Sequence, residues 1–159
     1  MGFLWFKTKK EKQAEEDDGW YKDVAVSEQG WWLRMAVASD LGSVRSNNED
    51  NFLMDGICNE EQAGQYYYEE DQCLDQCRIV AVFDGMGGES SGELASLTAA
   101  KMMGTVASNQ GSTDLKTFAK TIKNSFCEIN NRIVEYQNEQ KSMIGTTAVV
   151  VCTDGEEFQ

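Results

Sequence analysis

VAVFDGMGGESSGELAS, residues 80–96, is the stretch whose reading decides how the rest of the chain is read. The apolar run 79–83 predicts a buried strand that carries Asp84 to its end. Gly85, Gly87 and Gly88 then permit a sharp turn and a close backbone approach to a ligand. Ser90 and Glu93 stand at capping-box spacing, hydroxyl and carboxylate each satisfying an orphan amide, so a helix opens there. The order is strand, acidic turn, helix. It puts one carboxylate and free backbone carbonyls at the rim of a sheet, where hard oxygen donors suit magnesium or manganese. For the turn alone two readings stand side by side: a cation site, or a glycine turn with a solvated aspartate at its tip.

At 159 residues the chain fits one domain with a substantial core. Fourteen Lys and Arg against 27 acids give a formal net charge of −13, and beyond residues 7–12 there is no basic patch. A phosphate backbone is repelled by such a chain, which excludes nucleic acid as a partner. There are no histidines, so imidazole-based dyads, triads and most imidazole-dependent zinc chemistry are excluded. Hydrolytic chemistry here must come from carboxylates, thiols, hydroxyls or a metal-bound water. The five cysteines, Cys58, Cys73, Cys77, Cys127 and Cys152, form an odd set without a CxxC pair. Cys73 and Cys77 at helical spacing give at most half a zinc site, so the thiols read as reduced and the protein as cytoplasmic.

The start, MGFLWFKTKK, is too short an apolar run to span a bilayer, and no transmembrane segment is expected. Phe6 stands where a myristoylation signal at Gly2 needs Ser or Thr, so the stretch reads as a mobile leader, with a weak surface anchor as the alternative. Residues 7–23 are charged and mostly acidic, a mobile or marginally helical lead-in. Trp20, Tyr21, Trp31 and Trp32 are expected to cover a core edge. The division expected is a lead-in over 1–31 and a folded part over 32–159.

Alternation of Leu33, Met35 and Val37 with Arg34, Ala36 and Ala38 predicts a half-buried strand. A polar loop, SVRSNNEDN, leads to a short strand over 52–54, and residues 55–76 read as an excursion, a long loop or irregular hairpin. Ala95, Ala99, Met102, Met103 and Val106 recur at helical spacing. A second helix, capped by Ser112 or Thr113, carries the stripe Leu115, Phe118, Ala119, Ile122, Phe126, Ile129, Ile133 and Tyr136. Gly145, Thr146 and Thr147 lead into an apolar run, 148–152, suited to a central strand buried on both faces. Asp154 and Gly155 suggest a hairpin turn without a returning strand, so the chain is expected to stop within a fold.

With Asp84 placed, RSNNED before one strand, FDGMGG after the next, GELAS and the GTT of residues 145–147 stand in an order that resembles the metal-dependent protein phosphatases of type 2C, closest to their bacterial branch. The resemblance runs from about Trp32 to Gln159, the N-terminal half of that catalytic domain. It implies an α+β fold, a four-layer α-β-β-α sandwich of two antiparallel sheets flanked by helices, here truncated. It also implies a centre of two magnesium or manganese ions. By that likeness Asp84 would bridge both ions, the Gly85 carbonyl would bind one, and Glu49 would reach one through water. Arg45 would hold the substrate phosphate and Asp50 would orient the attacking water. The general chemistry agrees: paired cations activate a water and stabilise in-line attack on phosphorus, and the planar fork of Arg matches two phosphate oxygens.

The implied activity is hydrolysis of phosphoserine and phosphothreonine in proteins, with a phosphoprotein substrate and a cognate serine/threonine kinase in the same signalling pathway. Met86 stands where many eukaryotic members carry a proton-donating His, and a thioether cannot donate a proton. The family's later acidic motifs, which hold further metal ligands, are expected beyond Gln159, so this chain is expected to be poorly active or inactive. Two other readings remain open: a non-catalytic interaction module or pseudophosphatase fragment that pairs through open sheet edges, and an unrelated magnesium-dependent hydrolase that shares only the Asp84 turn.

Overall fold

A computed structural model describes residues 2–10, 31–60, 66–74, 76–87, 91–111 and 114–159. Trp20, Tyr21, most of the acidic lead-in, Gly88, Ser90, Ser112 and Thr113 lie outside the described residues. In chain order the elements are β1 (Gly2–Lys10), β2 (Trp31–Ser39), β3 (Asp50–Met54), β4 (Tyr66–Leu74), β5 (Arg78–Gly87), α1 (Gly92–Gln110), α2 (Leu115–Gln140), β6 (Ile144–Thr146) and β7 (Val149–Thr153). Among the described residues the fold is α+β, with antiparallel sheets and two helices.

One sheet has the order β1-β2-β4. The other has β3 on one side of β5, and β6 and β7 pair along its opposite side. Strand alternation sorts the side chains of the second sheet. Ile79, Ala81 and Phe83 of β5 and Leu53 of β3 point into a core shared with Ala95, Ala99 and Met103 of α1 and Phe118, Ile122 and Ile129 of α2. Val80 of β5, with Phe52 and Met54 of β3, points the other way onto Leu33, Met35 and Val37 of β2. The second sheet is thus covered by helices on one face and by the first sheet on the other. Small residues on α1 explain its close seat: Ala95, Ser96 and Ala100 are fully buried, and a side chain at Gly104 would press on Leu53.

The structure departs from the sequence reading in several places. The stretch 2–10, read as a mobile leader, is a strand in register with β2 from Gly2↔Ser39 to Lys10↔Trp31, in keeping with its aromatic content. The excursion over 55–76 contains a nine-residue strand, β4, on the other edge of β2. Its polar sequence hid it, because backbone pairing does not need apolar side chains. Cys73 therefore lies on a strand and not across a helical turn from Cys77. The N-cap of α2 is Asp114, whose Oδ2 accepts from Thr117 N at 2.9 Å. Along α2 it is Ser125 that is buried, while Phe126 is 38% exposed.

The strand β7 is not central: it pairs with β5 alone among the named strands, and Val149 is 63% exposed. The turn at Asp154 and Gly155 does have a short return. Thr153 bridges Phe158, and Cys152 and Gln159 exchange backbone hydrogen bonds of 2.8 and 2.9 Å. Beside this edge, α2 and β7 enclose an open groove of about 540 Å³ with Ile122, Phe126 and Val150 in its wall and Lys116, Lys120 and Lys123 along it. Among the described residues no helix is long and apolar enough to cross a membrane.

Candidate functional site

The strand carrying Asp84 does not end there. It continues to Gly87, because β6 pairs with its last residues at Gly85↔Thr146, Met86↔Gly145 and Gly87↔Ile144. Asp84 therefore sits inside a strand, exposed, with β3 on one side and the Gly145–Thr147 segment on the other. Its carbonyl accepts from Thr147 N at 2.8 Å and from Thr146 Oγ1 at 3.1 Å. The two threonines after Gly145 hold the main chain at Asp84 and leave its carboxylate outward.

Asp50, the first residue of β3, is the register partner of Asp84. Gly85 N donates to Glu49 O at 3.1 Å, and at the far end Asp55 N donates to Ile79 O at 3.1 Å. That alternation makes Asp50 and Asp84 a non-hydrogen-bonded pair, the closer of the two antiparallel spacings, with Cα atoms about 4.5 Å apart. Both carboxylates lie on the face that carries Phe52, Met54 and Val80, one step beyond the apolar contact between the sheets. Two like charges directly opposite one another are unfavourable by themselves and become favourable when a cation lies between them.

Glu49 takes the opposite face. Its Oε1 lies where a side chain on Gly92 would begin, 2.6 Å from an added Cβ, so the carboxylate rests on the first turn of α1. The positive end of the helix favours a negative group there. Gly85 is glycine for a related reason. A Cβ would sit 2.6 Å from Glu49 O and would overlap the Gly92 carbonyl, so the close approach the glycines serve is between β5, the 47–49 loop and α1.

The asparagines of the loop form its frame, a role the sequence reading did not assign. Asn47 Nδ2 donates to Glu93 Oε2 at 2.9 Å, tying the loop to α1. Asn48, 4% exposed, donates from Nδ2 to Ser39 Oγ at 2.8 Å and accepts from Asp50 N at 3.2 Å. Asn51 Oδ1 accepts from Phe52 N and Asn59 N, and Asn51 Nδ2 donates to Asn59 O. The density of Asn in SVRSNNEDN was the available signal, since Asn side chains bond to nearby backbone and stabilise turns. Arg45 stands apart in the exposed loop before this frame, without a hydrogen bond or ion pair among the described residues.

The structure therefore brings Asp50 and Asp84 together, sets Gly85 beside them, places Glu49 one residue away on the other face, and leaves Arg45 at a distance from any fixed partner. Among the described residues no three carboxylate, thiol or imidazole groups converge on one point. The donor set is two facing aspartates with backbone oxygen nearby. That fits a hard cation that keeps most of its waters and does not fit a closed protein cage.

The model of the family Protein phosphatase 2C matches residues 39–159, from the last residue of β2 onward. No curated protein matches the chain.

Proposed function

The chain belongs to the protein phosphatase 2C family, and on that premise we propose that it hydrolyses phosphoserine and phosphothreonine in proteins at the Asp50–Asp84 end of the second sheet. Membership supports a metal-dependent phosphatase in general. The observation that carries the site is the facing pair Asp50↔Asp84 on one side of the β3–β5 ladder. Magnesium or manganese, when bound, supplies a nucleophilic water at neutral pH and positive charge against the phosphoryl oxygens. In this reading Asp84 and the Gly85 carbonyl would hold the metal, and Asp50 would orient the water that it activates. Glu49, on the helix side of the strand, acts through a water. Arg45 holds the phosphate with its planar fork, and its exposed loop leaves it free to swing onto a substrate.

Met86 is 55% exposed with Gly145 packed beneath its side chain, and it donates no proton to a leaving group. With two facing aspartates as the principal anionic donors among the described residues, weak ion affinity and low turnover are expected on this reading. The four-layer sandwich belongs to the same reading, with a further helical layer over the first sheet. So do a phosphoprotein substrate, an opposing kinase and a cytoplasmic setting, with which the free thiols of Cys58, Cys77, Cys127 and Cys152 agree.

Manganese-dependent hydrolysis of p-nitrophenyl phosphate, with Asp84→Asn as control, tests the reading. Activity that requires manganese and disappears in Asp84→Asn is expected. Equal rates in the two proteins, both folded, would sink it. A second reading, an interaction module, is favoured by one observation. The groove between α2 and β7 combines the stretch of the β7 edge at Val150, before the return at Cys152 and Gln159, with Lys116, Lys120 and Lys123 on a strongly acidic protein. Absence of metal-dependent turnover together with saturable binding of an acidic extended peptide would support it instead.

A further inference from the structure

We propose that Asn48 is the positioning residue of the site: it fixes the Glu49–Asp50 backbone, and through it sends the two carboxylates to opposite faces of β3. The proposal rests on the metal-site reading of Asp50 and Asp84 and adds to it a neutral residue outside the donor set.

Asn48 is 4% exposed and uses both ends of its amide. Oδ1 accepts from Asp50 N at 3.2 Å, two residues ahead, which is the geometry of an Asx turn and sets where β3 begins. Nδ2 donates to Ser39 Oγ at 2.8 Å. Ser39 is itself 2% exposed and ends β2, on the face of that strand that carries Leu33, Met35 and Val37. The amide is therefore a strut between the two sheets, placed where their shared apolar cluster ends and the aspartates emerge.

The strut has a directional consequence. Only with the turn held at Asp50 N does Glu49 present its carbonyl to Gly85 N at 3.1 Å and its carboxylate to Gly92. A slip of one residue at the start of β3 would exchange the faces of Glu49 and Asp50 and separate Asp50 from Asp84. Beyond Asp50↔Asp84 the β3–β5 ladder adds only the single bond from Gly85 N to Glu49 O, so the ladder by itself resists such a slip weakly at this end.

Three proteins decide the matter: wild type, Asn48→Ala, which removes both bonds, and Asn48→Asp, which keeps the acceptor for Asp50 N and can accept from the Ser39 hydroxyl. Amide hydrogen exchange at Asp50 and Gly85 and manganese binding by titration calorimetry are measured on each. Faster exchange at both amides in Asn48→Ala is expected, with manganese affinity lowered about ten-fold or more, the range typical of lost supporting bonds around metal ligands. Asn48→Asp is expected to restore slow exchange and affinity. Unchanged exchange at Asp50 and Gly85 in Asn48→Ala would overturn the proposal. So would faster exchange with manganese affinity intact, which is the result of a merely structural role. If wild type binds no manganese, the metal reading fails by itself, and the exchange data still decide whether Asn48 holds the turn. Should Asn48→Ala not fold, Ser39→Ala removes only the strut to β2, and the same two readouts apply.

Discussion

Asp50 and Asp84 face each other across the β3–β5 ladder as a non-hydrogen-bonded pair, a register fixed by the bond from Gly85 N to Glu49 O at 3.1 Å. Removing one of the charges should relieve the metal-free protein, since like charges directly opposite cost on the order of 0.2–1 kcal/mol. Asp84→Asn is expected to raise the urea midpoint in EDTA and to abolish the stabilisation that manganese gives wild type. Denaturation with and without manganese measures both effects. A lower midpoint for Asp84→Asn in EDTA would show that the carboxylate is stabilised by something other than a cation.

Gly85 and Gly92 should respond differently to alanine. At Gly85 the new Cβ meets backbone, Glu49 O at 2.6 Å and the overlapping Gly92 carbonyl, and neither can yield without moving a strand or a helix. Gly85→Ala is expected to cost about 3 kcal/mol or more, in the range of severe overpacking. At Gly92 the obstacle is the Glu49 carboxylate, the far end of a flexible side chain, at 2.6 Å. Gly92→Ala should therefore cost less than about 1 kcal/mol, the usual scale of a change that a rotamer can absorb, while displacing that carboxylate. Thermal melts and manganese titration of the two variants separate these outcomes.

Thr146→Val removes the hydroxyl donor to Asp84 O at 3.1 Å but leaves the Thr147 amide at 2.8 Å on the same carbonyl. A loss of about 1 kcal/mol is expected, the net worth of one hydrogen bond. Equilibrium unfolding checks it. A loss several-fold larger would mean that the hydroxyl bond to the Thr147 carbonyl at 2.9 Å also carries the turn.

Burial pushes the Cys152 thiol from 9.0 to about 11, with the nearby Cys77 adding to the effect. A folded value above the unfolded one means that the neutral thiol is favoured by folding. The contribution is complete below about pH 9 and is lost as pH rises from 9 to 11. Stability should fall across that window, and Cys152→Ala should flatten the fall. Thiol labelling at pH 8 should reach exposed Cys127 first and Cys152 only on unfolding.

The sequence by itself determined the elements whose side chains alternate or recur. The row Leu33, Met35, Val37 and the helical stripes at Ala95, Ala99, Met103 and Phe118, Ile122, Ile129 are core in the structure, because burial of one face imposes period 2 or 3.6 on composition. It also determined the family, through motifs whose order survives folding. Tertiary structure alone decided that β1 and β4 flank β2, that β5 runs on past Asp84, and which face each carboxylate takes. Those choices depend on backbone pairing, which is nearly independent of side-chain type, and on contacts between residues far apart in sequence, such as Ser39 with Asn48 and Thr146 with Asp84. Adjacent letters such as Glu49 and Asp50 look equivalent in a string, and the alternation of a strand sends them to opposite sides of a sheet.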